Sequence, residues 1–245
     1  MTNEKEKVIK AYDNYAERVL EDGYRFNPIY IASKALSDWV LLTSVDLKCK
    51  RILNIGCAEP IDELQFVERV AKWVALDLNP RMIKSAREIA EKKLNPQLFS
   101  KLDFLTADAT KMPFDDETFD VVSAFSTIEH IPNRKLRRKA CLEMVRVVKK
   151  GGYVIVVVPN RWNLKWHLWS IKAMREGTTD FGYGYNYSPL EIRKDLIDAG
   201  LRILKFSSNF KMTHGFVPFL PIDRVIEYFL KYIGERMGYL AQKIH

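Results

Sequence analysis

Gly56 closes an apolar run, Arg51-Ile52-Leu53-Asn54-Ile55, and Asp77 closes a second, WVALD, 21 positions later. A carboxylate at about that distance from a glycine turn can accept both hydroxyls of a ribose. Asp108 follows a third run, LDFLTA, and Glu129-His130 follow a fourth, FDVVSAF. An imidazole titrates near neutrality, so His130 has the chemistry of a general base; it is equally suited to holding the loop before Pro132. The turn itself narrows the ligand. A dinucleotide fingerprint places glycines at 58 and 61, where this chain has Ala58 and Ile61 with Pro60 between them. A pyrophosphate needs close backbone approach at the first position, and helix packing prefers a small residue at the second. NAD and FAD are therefore disfavoured, and a nucleoside without phosphates fits better. The structural alternatives are plain: Asp77 or Asn79 as a cap for PRMIKSARE, and Asp108 as a turn carboxylate.

These residues need a scaffold. From residue 51 the runs RILNI, WVALD, LDFLTA, FDVVSAF and YVIVVV alternate with helix-like IDELQFVERV, PRMIKSAREIAEKK and NRKLRRKACLEMVRVVKK. Such alternation predicts a parallel sheet with helices on both faces. Gly151-Gly152 reads as the stop of the third helix. SPLEIRKDLIDAG is a helix opened by Ser-Pro, LRILKFS a strand, IDRVIEYFLKYIG a helix and GYLAQKI a short final strand, giving seven strands. Residues 4–47 read as helical. Ligands of open α/β sheets bind beyond the carboxyl ends of the strands, where Gly56 lies. Ile61, Leu64, Val67 and Val70 line one face of the helix that follows, and Pro60 opens it, a position where no amide donor is missed.

The chain has 245 residues, 47% of them hydrophobic, as one large domain requires. Lysine and arginine exceed the acids by 39 to 31, a formal charge of +8, which points to acidic ligands, a membrane surface or nucleic acid without choosing among them. The basic run 134–139 lies on a helix whose Leu136, Ala140, Met144 and Val148 form an i, i+4 stripe, so its charges read as a solvated outer face rather than a nucleic-acid site. The charged start MTNEKEKVIK lacks an apolar leader and no run is long enough to span a membrane. Cys49, Cys57 and Cys141 show no metal spacing and read as buried thiols in a reducing compartment; the expectation is a cytoplasmic protein. The least ordinary stretch is 161–187, with Trp162, Trp166, Trp169, Phe181, Tyr183, Tyr185 and Tyr187. It is expected to cover the cleft, the alternative being a satellite core. The apolar segment GFVPFLPIDRVIEYFLKYIG, broken by Pro218 and Pro221, reads for the most part as ordinary packing, the alternatives being completion of that cover or, if the substrate is lipid-like, contact with a membrane.

Taken together, RILNIGCAEP, VALDLNPRMIKSARE, FLTADATKMPFDDETFDVV, SAFSTIEHIPN and EMVRVVKKGGYVIVVVPN stand in order at compatible spacings. On these motifs the chain resembles the class I S-adenosylmethionine-dependent methyltransferases, small-molecule (type 11-like) subgroup, over about residues 50–160 and more loosely 188–243. The resemblance implies a Rossmann-like α/β fold: a seven-stranded, mostly parallel sheet with helices on both faces and the last strand antiparallel. It implies one domain, with a helical cap (1–47), a cofactor core (48–160), a substrate lid (161–187) and a C-terminal completion of the sheet (188–245). The cofactor would be S-adenosylmethionine, leaving as S-adenosylhomocysteine. Its contacts would be Asn54, Gly56, Cys57 and Ala58 in the first motif, Asp77 and Leu78 in the second, Asp108 and Ala109 at the adenine, and Phe125 near the methionine. His130 is the catalytic candidate. Asn54, Ala58 and Pro60 depart from the usual acid-x-G-x-G-x-G pattern. Ser126, Glu129 and His130 partly resemble the acidic-acidic-His metal site of ubiquinone-pathway O-methyltransferases, but Ser126 departs from it, and no metal is expected. The implied activity is methyl transfer to an O, N or C atom of a small, aromatic or lipophilic molecule, with any membrane contact peripheral. The competing readings are a non-catalytic binding protein, favoured by the altered loop, and an RNA methyltransferase, favoured by the charge and opposed by STIE where a base-flipping tetrad would stand.

Overall fold

The computed structural model describes residues 6, 8–13, 15, 31, 34–178, 183–209 and 232–244. Seven strands form its sheet: β1 (Arg51–Ile55), β2 (Lys72–Asp77), β3 (Leu102–Thr106), β4 (Phe119–Phe125), β5 (Val148–Pro159), β6 (Leu201–Asn209) and β7 (Arg236–Lys243). Their order is β3-β2-β1-β4-β5-β7-β6. β7 runs antiparallel to both its neighbours, and every other pairing is parallel. The expected seven strands with an antiparallel last one are present. The order reverses at β1, which pairs with β2 on one side and β4 on the other.

The strands are apolar on both faces because both faces are covered. Leu53 and Ile55 join one cluster with Val122, Val154, Val156, Tyr187 and Leu196. Their alternates Ile52, Val121, Ile155 and Val157 join another with Leu41, Leu42, Phe66 and Trp73. The period of two thus sorts each strand between two cores. Burying a side chain of this kind fully contributes about 1.5–3 kcal/mol.

The described helices are bounded by local chemistry. α1 (Ile61–Phe66) follows Pro60, which takes the cap position, and passes into a tight turn at Val67–Arg69. α2 (Pro80–Lys93) is capped by Asn79, whose side chain accepts from the amides of Arg81 and Met82, and it buries Met82, Ala86 and Ala90 at i, i+4 spacing. α3 (Arg134–Val147) is capped by Asn133. α4 (Leu164–Glu176) starts at Asn163 and stops at Gly177, whose φ of 66° is the left-handed conformation glycine adopts freely. α5 (Pro189–Asp198) carries a full Ser188–Glu191 capping box.

Three expectations need correction or fall outside the described residues. Gly151-Gly152 does not stop α3: the helix ends at Val147 and β5 begins at once. The pair instead lies where the β4–β5 register slips, with Gly151 at φ 73° and the Gly152 Cα so close to the Asp120 carbonyl that a Cβ would lie 2.9 Å from it. It is bulge chemistry. The basic face of α3 is not wholly solvated, because Arg137 is buried. Residues 222–231 of the helix expected over 222–234, and much of the helical 4–47, lie outside the described residues; residues 232–234 form a turn rather than helix, while residues 8–13, Ala35–Trp39 and Val40–Leu42 are helical. No helix among the described residues is long and apolar enough to cross a membrane.

Candidate active site

The turns after β1 and β4 meet where the strand order reverses. Gly56 has φ 69°. Its amide donates to the Leu76 carbonyl at 2.6 Å, and that of Cys57 to the same oxygen at 3.1 Å. A Cβ at Gly56 would overlap the side chain of Thr127, whose hydroxyl donates to the Ile55 carbonyl at 2.8 Å. Only glycine satisfies both the dihedral and the close approach. Ala58, φ 43°, and Ser126, φ 54°, hold the same left-handed conformation without being glycine.

Asp77 ends β2 and is buried. Its Oδ2 accepts the Ala58 amide at 3.1 Å and its Oδ1 the Asn79 amide at 2.9 Å. Burial raises its pKa, and the amides of Asn79, Ala58 and Leu78 pull the other way. Capping is done by the Asn79 side chain, not by Asp77. A carboxylate oxygen has two lone pairs, so each oxygen of Asp77 can take a further donor, as two ribose hydroxyls would supply. The residues present therefore fit a nucleoside-bearing cofactor. Cys57 is buried, its thiol pushed well above its ordinary range by burial and then by Asp77, which makes it inert; Cys141 is buried too, but Cys49, expected to be buried, is exposed. Leu78 is half-buried beside Asp77. Asp108 turns its Oδ1 to the amide and hydroxyl of Thr110, each at 2.8 Å, and Ala109 packs against the core.

Asn54 points into the fold. Its Nδ2 donates to Glu63 Oε1 at 2.8 Å, and its Oδ1 accepts from Ser123 at 3.2 Å. Trp73 Nε1 also donates to Glu63, at 3.1 Å. Burial, with Asp62 second, raises the Glu63 pKa. An acid at 54 would face a second buried acid; the amide is a donor to it instead. Sequence reasoning missed Glu63, although two adjacent acids at the start of an apolar helix were a signal.

The turn after β4 gathers charge and aromatic rings. His130 Nδ1 lies 2.6 Å from the Tyr183 carbonyl. A carbonyl only accepts, so Nδ1 carries the proton and Nε2 the lone pair. Burial lowers the His130 pKa, which favours this neutral form. Glu129 is buried and pushed up to about 8 by that burial. Ser126 accepts from Arg236 at 2.8 Å, and Arg236 also pairs with Asp38 at 3.0 Å. Phe125 lies under Lys34, whose Nζ is 5.2 Å from the ring centre and pairs with Asp38 and Asp62. Tyr183, Tyr185 and Tyr187 run past this turn: Tyr185 donates its amide to the Glu129 carbonyl, and Arg137 lies 4.0 Å over its ring. Among the described residues, no three His, Cys, Asp or Glu side chains are grouped as metal ligands would be.

A further contribution comes from the N-terminal helical residues. Asn79 Nδ2 donates to the Ile9 carbonyl at 3.1 Å and to Asp13 at 2.8 Å. Tyr12 meets the His130 ring edge-on at 5.7 Å, and Tyr15 hydrogen-bonds Glu59. Ile9, Tyr12, Asp13 and Tyr15 thus touch the turns after β1, β2 and β4. Nothing in their own sequence announces this, because every one of these partners is 44 or more positions away.

The family described as "Methyltransferase domain" matches residues 53–156. The ubiquinone biosynthesis O-methyltransferase of Azoarcus sp. (strain BH72) is 26% identical over 218 residues, covering 84% of this chain and 87% of that one. Among solved structures, a chain of the complex between the Haloferax volcanii Trm112 methyltransferase activator and a methyltransferase has TM-score 0.69 at 16% identity, covering 98% of each chain. The N-methyltransferase NodS of Bradyrhizobium japonicum WM9, solved with S-adenosyl-L-homocysteine, has TM-score 0.57 at 14% identity, covering 84% of this chain and 83% of that one.

Proposed function

We propose that this chain, a class I S-adenosylmethionine-dependent methyltransferase, moves the methyl group to an oxygen, nitrogen or carbon of a small aromatic or lipophilic molecule. When bound, the cofactor would supply an electrophilic methyl on a sulfonium; the acceptor's lone pair would take the methyl carbon, and the carbon–sulfur electrons would stay on the departing sulfur of S-adenosylhomocysteine. The protein's part is proximity, orientation and exclusion of water. In this reading Asp77 accepts the two ribose hydroxyls, Gly56, Cys57 and Ala58 form the wall beside the methionine portion with Asn54 behind them, and Leu78, Asp108 and Ala109 border the adenine. Phe125 flanks the methionine portion. His130, neutral with its lone pair on Nε2, takes the proton that an acceptor hydroxyl or amine releases.

The observation that carries the reading is Asp77: a buried carboxylate fixed by two backbone amides, with acceptor capacity left on each oxygen. The acceptor class is supported by the half-buried Tyr183, whose carbonyl holds His130, and by the similarity to an enzyme of ubiquinone biosynthesis. Nucleic acid is a poorer fit. Of the basic run on α3, Arg137 is buried and Arg138 is paired with Asp195 and Asp198.

Titration calorimetry tests this directly. S-adenosylhomocysteine should bind and NAD should not. Asp77→Ala should weaken binding roughly ten- to a hundred-fold, the loss of charged hydrogen bonds. An unchanged affinity in a folded variant would assign Asp77 a purely structural role.

A further inference from the structure

Helix α4 is apolar on both sides: Ala173 is buried and Trp166 and Met174 are half-buried on its inner face, yet its outer face also carries large apolar side chains. Its buried side chains are Ser170 and Ala173. Asn186 donates to the Ser170 hydroxyl and lies 3.0 Å from His167 Nδ1, so polar contacts hold the inner face. Leu164, Leu168 and Trp169 point outward, 64%, 59% and 54% exposed. Trp162 precedes them and meets the Tyr232 ring at 6.4 Å, while Asn163 Nδ2 donates to the Ile233 carbonyl at 3.0 Å. These contacts join α4 to the exposed Tyr232 and Ile233, just before β7.

Of the twelve exposed large apolar residues described, six belong to these two linked segments. Scattered exposure needs no explanation, but a contiguous patch marks an interaction site. The charges on the outward face of α4 have one prevailing sign. Lys165, Lys172 and Arg175 are exposed there, with Glu176 the only acid, 3.8 Å from Lys172. Leucine and tryptophan interleaved with lysine and arginine on one exposed face suit an anionic bilayer interface, the apolar side chains entering it and the long basic ones reaching back to its headgroups, and the net charge of +8 adds to that attraction. Position agrees. α4 follows the carboxyl end of β5, and Tyr232-Ile233 precede the antiparallel β7, so the patch lies at the sheet edge that also bears Gly56 and Asp77.

We propose that α4 and the turn before β7 form a docking face for an anionic lipid bilayer. Resting on the lipophilic acceptor proposed above, this face would let an acceptor pass from membrane to cleft without crossing water.

The test is sedimentation of the purified full chain with vesicles of phosphatidylcholine and phosphatidylglycerol in equal parts, against vesicles of phosphatidylcholine alone, with neither cofactor nor acceptor present. Binding should favour the anionic vesicles and weaken with salt. Leu168→Glu with Trp169→Glu should lower it by roughly ten-fold or more, with the thermal midpoint and S-adenosylhomocysteine affinity retained. Lys165→Gln, Lys172→Gln and Arg175→Gln together should remove most of the phosphatidylglycerol preference, about five-fold per charge. Absence of wild-type binding, or equal binding by both variants, would overturn the proposal. So would a dimer in gel filtration that the Leu168/Trp169 variant dissociates without change in sedimentation. Vesicle binding by a chain that fails to bind S-adenosylhomocysteine would sink the cofactor assignment and leave the docking face standing.

Discussion

Ala58 carries a backbone conformation that glycine would hold with less strain. At φ 43° its Cβ crowds the following carbonyl, a cost of about 1–2 kcal/mol for a non-glycine residue. It tolerates this because its amide is fixed on Asp77. Ala58→Gly should therefore raise stability by about 0.5–1 kcal/mol, part of the relief being offset by a more flexible unfolded chain. Its S-adenosylhomocysteine affinity should change by less than about ten-fold, since no polar contact is lost. Urea denaturation and calorimetry on the one variant read both numbers. A thousand-fold gain in affinity would instead mean that the natural loop is a degenerate site. The glycine turn was legible at Gly56 because a positive φ and a crowded neighbour leave no alternative. The acid beneath it was signalled only by the Asp62-Glu63 pair, and its role was not, because Glu63 reaches Asn54 and Trp73 by folding back from α1 onto two strands.

Arg137 shows how an element can be misjudged from its own stripe. Its neighbours on α3 are solvated or paired at the surface, but Arg137 donates to the carbonyls of Ile131 and Pro132 and lies over the rings of Tyr185 and Tyr187. It ties the turn after β4 to the stretch that leads into α5. Arg137→Ala should lower stability by about 2–4 kcal/mol through lost charged hydrogen bonds and ring contact. Arg137→Lys should recover only part, since an ammonium lacks the planar fork. Urea unfolding of the two variants checks both. The strands were legible, and the five core runs match β1 to β5 closely, because alternation is a local property. The end of α3 was not: Gly151-Gly152 is needed by the register of β4 against β5, and register is set across the sheet.

At the scale of the molecule, a buried acid should shape the response to pH. Glu129 ionises at about 8 when folded, against an ordinary 4.5. Between those values the native state holds a proton that the unfolded chain has released, so stability falls as pH rises through that window. The thermal midpoint should therefore be lower at pH 9 than at pH 6, by an amount on the order of a few kcal/mol in stability. Glu129→Gln should flatten the slope, and a slope unchanged in that variant would place the titration elsewhere. The arrangement of β7 has a consequence of another kind, for synthesis on the ribosome. β7 lies between β5 and β6, pairing with both, and Arg236 closes on Asp38 from 198 positions away. Until residues 236–243 have been translated and have cleared the exit tunnel, β5 presents an open edge and β6 has no partner in the sheet. Unpaired edges invite pairing with other chains. The nascent protein thus passes through its most aggregation-prone form late, when nearly all of its core is already made, and a stalled or truncated product would be a hazard rather than a partial enzyme.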